Sequence, residues 1–155
     1  MQLRWLVLQA ALAAGCTHTP EPLDHGEMFL GDWDCSSGTR EIDCGEGVVV
    51  ADLALGPGTP IQFGSGTVAD LVLRIRSRGL VTDVGGPICE LEFDANRDNA
   101  VLHAESSCLD EQLQSIVVPQ GSAEIGWYPD RLQLTTVSTN SRSCRIETQA
   151  VCSAR

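Results

Sequence analysis

The chain contains no lysine; all ten of its basic residues are arginine. Aromatic residues are scarce at 5%, with a single tyrosine, so a core must be built mainly from Val, Leu, Ile and Ala. Beyond the first fifteen residues no apolar run approaches the ~20 residues that a spanning helix requires. Positive charge is also in short supply. Twenty-one carboxylates against ten arginines leave a net charge of −11, which repels nucleic acid and argues against it as a partner. The short motifs of familiar chemistry are missing too. There is no G-x-S-x-G and no H-E-x-x-H, and Gly64-Ser65-Gly66 lacks the lysine of a phosphate loop. Neither a C-x-x-C nor a Cys–His cluster at ligand spacing occurs, so nothing implies a structural metal or a cofactor. The 155 residues are one domain's worth, and 43% hydrophobic with 20% charged residues is the composition of a folded chain.

The N-terminus is informative. Arg4 gives a positive head, Trp5 to Ala14 form a mostly apolar stretch, and small residues precede Cys16. That is the layout of a secretory signal, too short to span a membrane. Ala14-Gly15-Cys16 resembles the lipobox of bacterial lipoproteins, with Ala13 standing where Leu is commonest. The resemblance implies cleavage before Cys16, acylation of that cysteine with palmitate-type chains, and attachment to a membrane through them. Thr17 stands where an Asp would retain an enterobacterial lipoprotein in the inner membrane, which implies the outer membrane, facing periplasm or cell surface. An ordinary cut after Ala11-Leu12-Ala13 is the alternative, and it leaves Cys16 as a spare thiol. Thr17 to Glu27, with two prolines and no periodicity, reads as a flexible tether in which His18 and His25 are incidental. Residues 1–15 are therefore read as signal peptide, 16–27 as lipidated cysteine and tether, and 28–155 as one domain.

Removing Cys16 from seven cysteines leaves Cys35, Cys44, Cys89, Cys108, Cys144 and Cys152, an even number in an exported chain. Three disulfides follow from the oxidising compartment. Period-2 alternation dominates the domain. It predicts strands over 29–35, 47–55, 68–78, 88–94, 100–105, 123–127, 132–138 and 144–152, punctuated by Gly, Pro, Asn and Asp. Residues 108–117 stay undecided. Leu109, Leu113, Ile116 and Val117 have helical spacing behind Ser107, whereas Ile116-Val117-Val118 reads equally as strand. The fold class is all-β: an antiparallel meander of about eight strands closing into a small barrel, or alternatively a β-sandwich.

Strand geometry constrains the bridges. If Phe93 faces Leu102 across a hairpin, Cys89 falls near Cys108 on one face, and these two pair. An unbroken last strand separates Cys144 from Cys152 by about 26 Å, too far for a bridge. Both must then pair with Cys35 and Cys44, stapling the last strand to the first hairpin. Which takes Cys144 is open; the end of the first strand meeting the start of the last favours Cys35.

Gly31-Asp32-Trp33 resembles the G-x-W signature of lipocalins, whose Trp packs across the floor of an eight-stranded barrel. The wider pattern, G-x-W-x-C followed by paired cysteines, resembles a group of bacterial secreted lipoproteins to which no activity is attached.

Candidates for chemistry each have a bland counterpart. Arg74, Arg76 and Arg78 share one strand face, and Glu90, Glu92 and Asp94 share a face of the next strand. They read as a cross-strand ladder rather than an anion-binding stripe. Asp94, Asn96, Asp98 and Glu105 take positions 1, 3, 5 and 12 of a calcium loop, but Asn99 occupies the position that needs Gly. The alternative is a hairpin turned by its own Asn and Asp side chains. His103 is expected opposite Glu92 on the polar face, as a solvent-facing pair. Nothing nominates two carboxylates for a hydrolase, and no catalytic residue is assigned. The reading is a lipid-anchored envelope module acting by binding or as a structural component, with an envelope protein as candidate partner. Its rivals are a lipocalin-like carrier of a small apolar ligand and a hydrolase with an unidentified carboxylate pair. Ala51, Ala69, Ala104, Ala123 and Ala150 are short enough as interior side chains to permit a cavity.

Overall fold

The computed structural model describes residues 26–53, 55, 59–76, 80–81, 89–109, 115–126, 128, 130–140 and 142–155. The signal segment, Cys16 and the tether up to residue 25 lie outside these residues, as do Trp127, Arg78 and Leu113. A 3-10 turn at Glu27–Phe29 precedes ten strands: β1 (Gly31–Asp43), β2 (Val48–Asp52), β3 (Thr59–Ser65), β4 (Leu71–Ile75), β5 (Cys89–Asn96), β6 (Asn99–Leu102), β7 (Ser106–Leu109), β8 (Ser115–Ile125), β9 (Arg131–Thr139) and β10 (Arg145–Ala154).

Every pairing is antiparallel. The order β10-β9-β8-β6-β5-β4-β3-β1 returns to its start because β1 also pairs with β10. Eight strands thus form a closed barrel, and β2 and β7 are additions that pair with β1 and β8. Closure explains the alternation in the sequence, since each wall strand presents one face inward and one outward. On β5 the inward set is Cys89, Leu91, Phe93 and Ala95, all buried. On β9 it begins Leu132 and Leu134. The three phenylalanines are concentrated. Phe29 and Phe63 lie 5.7 Å apart by ring centroid, and Phe63 and Phe93 6.0 Å, edge to face.

The alternation misses β3 and misplaces several ends: β8 begins at Ser115 rather than at 123, and β4 is Leu71–Ile75 within the expected 68–78. β3, with Pro60 and Gly64, carries turn residues, yet Ile61 and Phe63 face inward at 2% exposure. β1 does not stop at Cys35. It passes a bulge between Cys35 and Ser37 and continues to Asp43. Gly38 is required just past the bulge: a Cβ there would run into the Gln149 carbonyl oxygen. The undecided stretch is strand where it is described, since Cys108 lies in β7 and Ile116 to Val118 in β8.

Three disulfides brace the barrel: Cys35–Cys152, Cys44–Cys144 and Cys89–Cys108. The Cys89–Cys108 pair and the double staple between first and last strands are as expected. Assigning Cys144 to Cys35 is corrected, and the cause is the length of β1. Antiparallel closure does join the end of the first strand to the start of the last, but that end is Cys44. Cys35 sits mid-strand, directly opposite Cys152.

Candidate functional site

The two mouths of the barrel are closed differently. At the mouth where β1 begins, the 3-10 turn lies against the core: a Cβ on Gly26 would stand 3.0 Å from the Leu71 side chain. Trp33 is buried here, and its indole N–H donates to the Phe29 carbonyl at 2.8 Å. This satisfies the one polar atom of an otherwise apolar side chain.

At the opposite mouth the connection between β4 and β5 sends Leu80 and Val81 inside, at 1% and 0% exposure. Their backbone carbonyls enter with them and must be satisfied. Thr136 Oγ1 donates to the Leu80 carbonyl at 3.2 Å, and Ser138 Oγ to the Val81 carbonyl at 2.6 Å. Both hydroxyls occupy inward positions of β9 that continue the Leu132, Leu134 series. The signal was in the sequence: two hydroxyl residues at core positions announce a buried polar partner, though not which one. Thr148 on β10 is a third inward hydroxyl, buried and without a hydrogen-bond partner among the described residues. The Thr136 and Ser138 hydroxyls already donate to carbonyls, so the arrangement anchors a plug rather than presenting a nucleophile.

Of the five alanines expected to line the interior, Ala123 and Ala150 are buried. Ala51 and Ala104 are exposed and Ala69 is only half-buried. The interior instead takes Leu53, Leu80 and Val81 from outside the eight wall strands.

The outer wall carries a groove of about 480 Å³ lined by Val101, Gln120, Thr135, Val137, Arg145 and Glu147, among others. Arg145 Nη2 donates to Glu147 Oε2 at 2.7 Å. That bond, with a second from Gln149, holds the Glu147 carboxyl below the usual carboxylate range against the opposing effect of burial. A general acid needs the reverse shift.

The remaining candidates fall apart as sites. Arg74 stands opposite Glu90 and pairs with it, its Nε donating at 3.0 Å. Glu92, however, faces Val72, Asp94 pairs elsewhere, and Arg76 lies beyond the end of β4. Arg78 lies outside the described residues. The ladder is thus corrected to a single rung among the described residues, because the register that sets Arg74 against Glu90 sets Glu92 against Val72. His103 Nδ1 lies 2.9 Å from both oxygens of Asp94 rather than meeting Glu92, whose backbone carbonyl accepts from the His103 N–H. Asp94, Asn96, Asp98 and Glu105 do not converge. β5 and β6 join through Arg97-Asp98, with Arg97 in the left-handed region at φ 55°. Among the described residues no three His, Cys, Asp or Glu side chains gather as a metal site would need. Residues 93–102 form a tight hairpin, the alternative reading of this segment. No helix among them is long and apolar enough to cross a membrane.

No family model, curated protein or solved structure matches the chain. The fold and its disulfides define the class reached here, a closed, disulfide-braced β-barrel module.

Proposed function

We propose that the chain is an exported envelope lipoprotein, anchored through acyl chains on Cys16, whose barrel is a rigid module for binding envelope protein or for structural support. The observation that carries this reading is the occupied interior. Leu80 and Val81 sit inside one mouth, held by Thr136 and Ser138, and Phe29 with Trp33 fill the other. A carrier of an apolar ligand needs several hundred Å³ of interior space, and here it would have to expel that plug. Three disulfides support export to an oxidising compartment. Ala14-Gly15-Cys16 supports the anchor.

The test combines fractionation with ligand binding. Cys16→Ser should move the protein from the membrane pellet to the soluble fraction, because two or three acyl chains anchor stably. A variant that stayed in the pellet, or a wild type without lipid by intact mass, would remove the anchor. An apolar fluorescent probe should gain no saturable signal with the wild-type protein. Saturable binding that Val81→Trp abolished would favour the lipocalin-like carrier.

A further inference from the structure

We propose that the free edge of β2 is a docking edge for an extended, cationic peptide strand, which joins the sheet by backbone hydrogen bonding. All five residues of β2 are exposed, with Val48, Val49 and Val50 at 57%, 63% and 61%. Among the described residues β1 is its only strand partner. The Leu53 N–H donates to the Gly38 carbonyl at 3.0 Å. Alternation from that bond turns the backbone groups of Ala51 and Val49 toward β1. Those of Val48, Val50 and Asp52 point away from it, as an unpaired row.

Protein edges are ordinarily blunted by charge, proline, a bulge or shortness. β2 is five residues long and charged only at Asp52, and it has neither proline nor bulge. It is also held in place. β1 is paired along its other side with β10, and Cys44–Cys144 pins the hairpin to the start of that strand. A fixed edge loses little entropy on gaining a strand.

Charge selects the occupant. Glu41, Asp43 and Asp52 share the face of Val48 and Val50, Glu46 lies in the turn before β2, and Val49 is on the other face opposite Ile42. A second copy would press two such acidic hairpins together, on chains each carrying −11. A peptide of alternating apolar residues with arginine or lysine at its ends meets both the valines and the carboxylates.

The experiment titrates the full chain, ¹⁵N-labelled, with a short synthetic peptide of alternating valine and threonine flanked by arginines. The amides of Val48, Val50 and Asp52 should shift and gain exchange protection. Replacing the flanking arginines by glutamates should weaken binding about tenfold or more. Val50→Pro removes one outward N–H while sparing the bonds to β1, and should abolish binding. Val50→Arg, which faces Glu41 and leaves the backbone intact, should weaken the arginine peptide and guards against a hairpin lost to proline. Shifts that map elsewhere, equal affinity for the glutamate peptide, or full binding by both Val50 variants would overturn the proposal. So would shifts of the same amides with protein concentration alone, which would assign the edge to a second copy.

Discussion

One strand of this protein lives in two settings. Residues 31–35 of β1 lie between β3 and β10, where Trp33 and Cys35 are buried at 2% and 0%. Residues 39–43 lie between β2 and β10, where Glu41 is exposed and Ile42 only half-buried. The partner on one side is the same throughout. What changes at the bulge is the other neighbour: a wall strand with Ile61 and Phe63 buried, then a hairpin arm whose five residues are all exposed. Hydrogen bonding and the Cys44–Cys144 staple therefore carry the sheet past the core, and burial sets how much each half contributes to stability.

The largest test of that contrast compares the two staples. They close similar lengths of chain, 117 and 100 residues, so the chain-entropy model assigns each nearly the same effect, up to ~4–5 kcal/mol. Both cysteines of the inner pair are fully buried, whereas Cys44 is exposed. Replacing Cys35 and Cys152 by alanine should therefore cost more, by about 1 kcal/mol or above, than replacing Cys44 and Cys144. Chemical denaturation of the two variants decides it. Equal losses would mean that burial adds nothing to the closure.

Side chains on the two halves should separate more sharply. Trp33→Ala empties a core site and leaves the Phe29 carbonyl without its donor, and should cost about 3–5 kcal/mol. Val49→Ala, beside Ile42 on the outer arm, should stay within about 0.5 kcal/mol. A comparable loss at Val49, read from urea midpoints, would show that the arm packs against something.

Ser138→Ala probes the mouth that this outer arm overhangs. It strands the Val81 carbonyl inside the barrel and should cost about 1–3 kcal/mol. Proteolysis between β4 and β5 should quicken in step. An unaltered digestion rate would argue against the hydroxyl as the anchor of the plug.

The smallest effects belong to the ion pairs beside each half. Arg155 Nε donates to Asp34 Oδ2 at 2.7 Å next to the buried half, and Arg145 pairs with Glu147 next to the outer one. Asp34 raises the Arg155 guanidinium, which stays charged throughout the working range. Glu147 is the one that titrates. Its folded carboxyl is lowered, so its contribution is present above the unfolded value and is lost as pH falls through the folded one. The stability difference between wild type and Glu147→Gln should be under about 1 kcal/mol at neutral pH and should shrink as the pH falls through the folded value. A difference that grew on acidification would reverse the assignment.

Much of this was legible along the chain because β-barrel walls write period-2 alternation into sequence. Cys89-x-Leu91-x-Phe93 announces an inward face, and the Phe93–Leu102 pairing that follows from it is the one observed. The Cys89–Cys108 bridge came from that register. β3 was hidden by Pro60 and Gly64, which propensity reads as turn but a strand end and a crowded wall accept. The arginine ladder failed for a different reason. Spacing by two identifies a face, and cannot say where the neighbouring strand starts.

The sequence by itself determined the class of strand and the impossibility of a Cys144–Cys152 bridge across an unbroken strand. These follow from local geometry, which depends only on neighbouring residues. The tertiary structure decided where β1 ends, and with it which cysteine meets Cys144. It also decided that Leu80 and Val81 turn inward to Thr136 and Ser138, and that β2 lies outside the core with an edge unpaired among the described residues. Those outcomes depend on closing a barrel, in which each strand's register is set by partners far away in sequence.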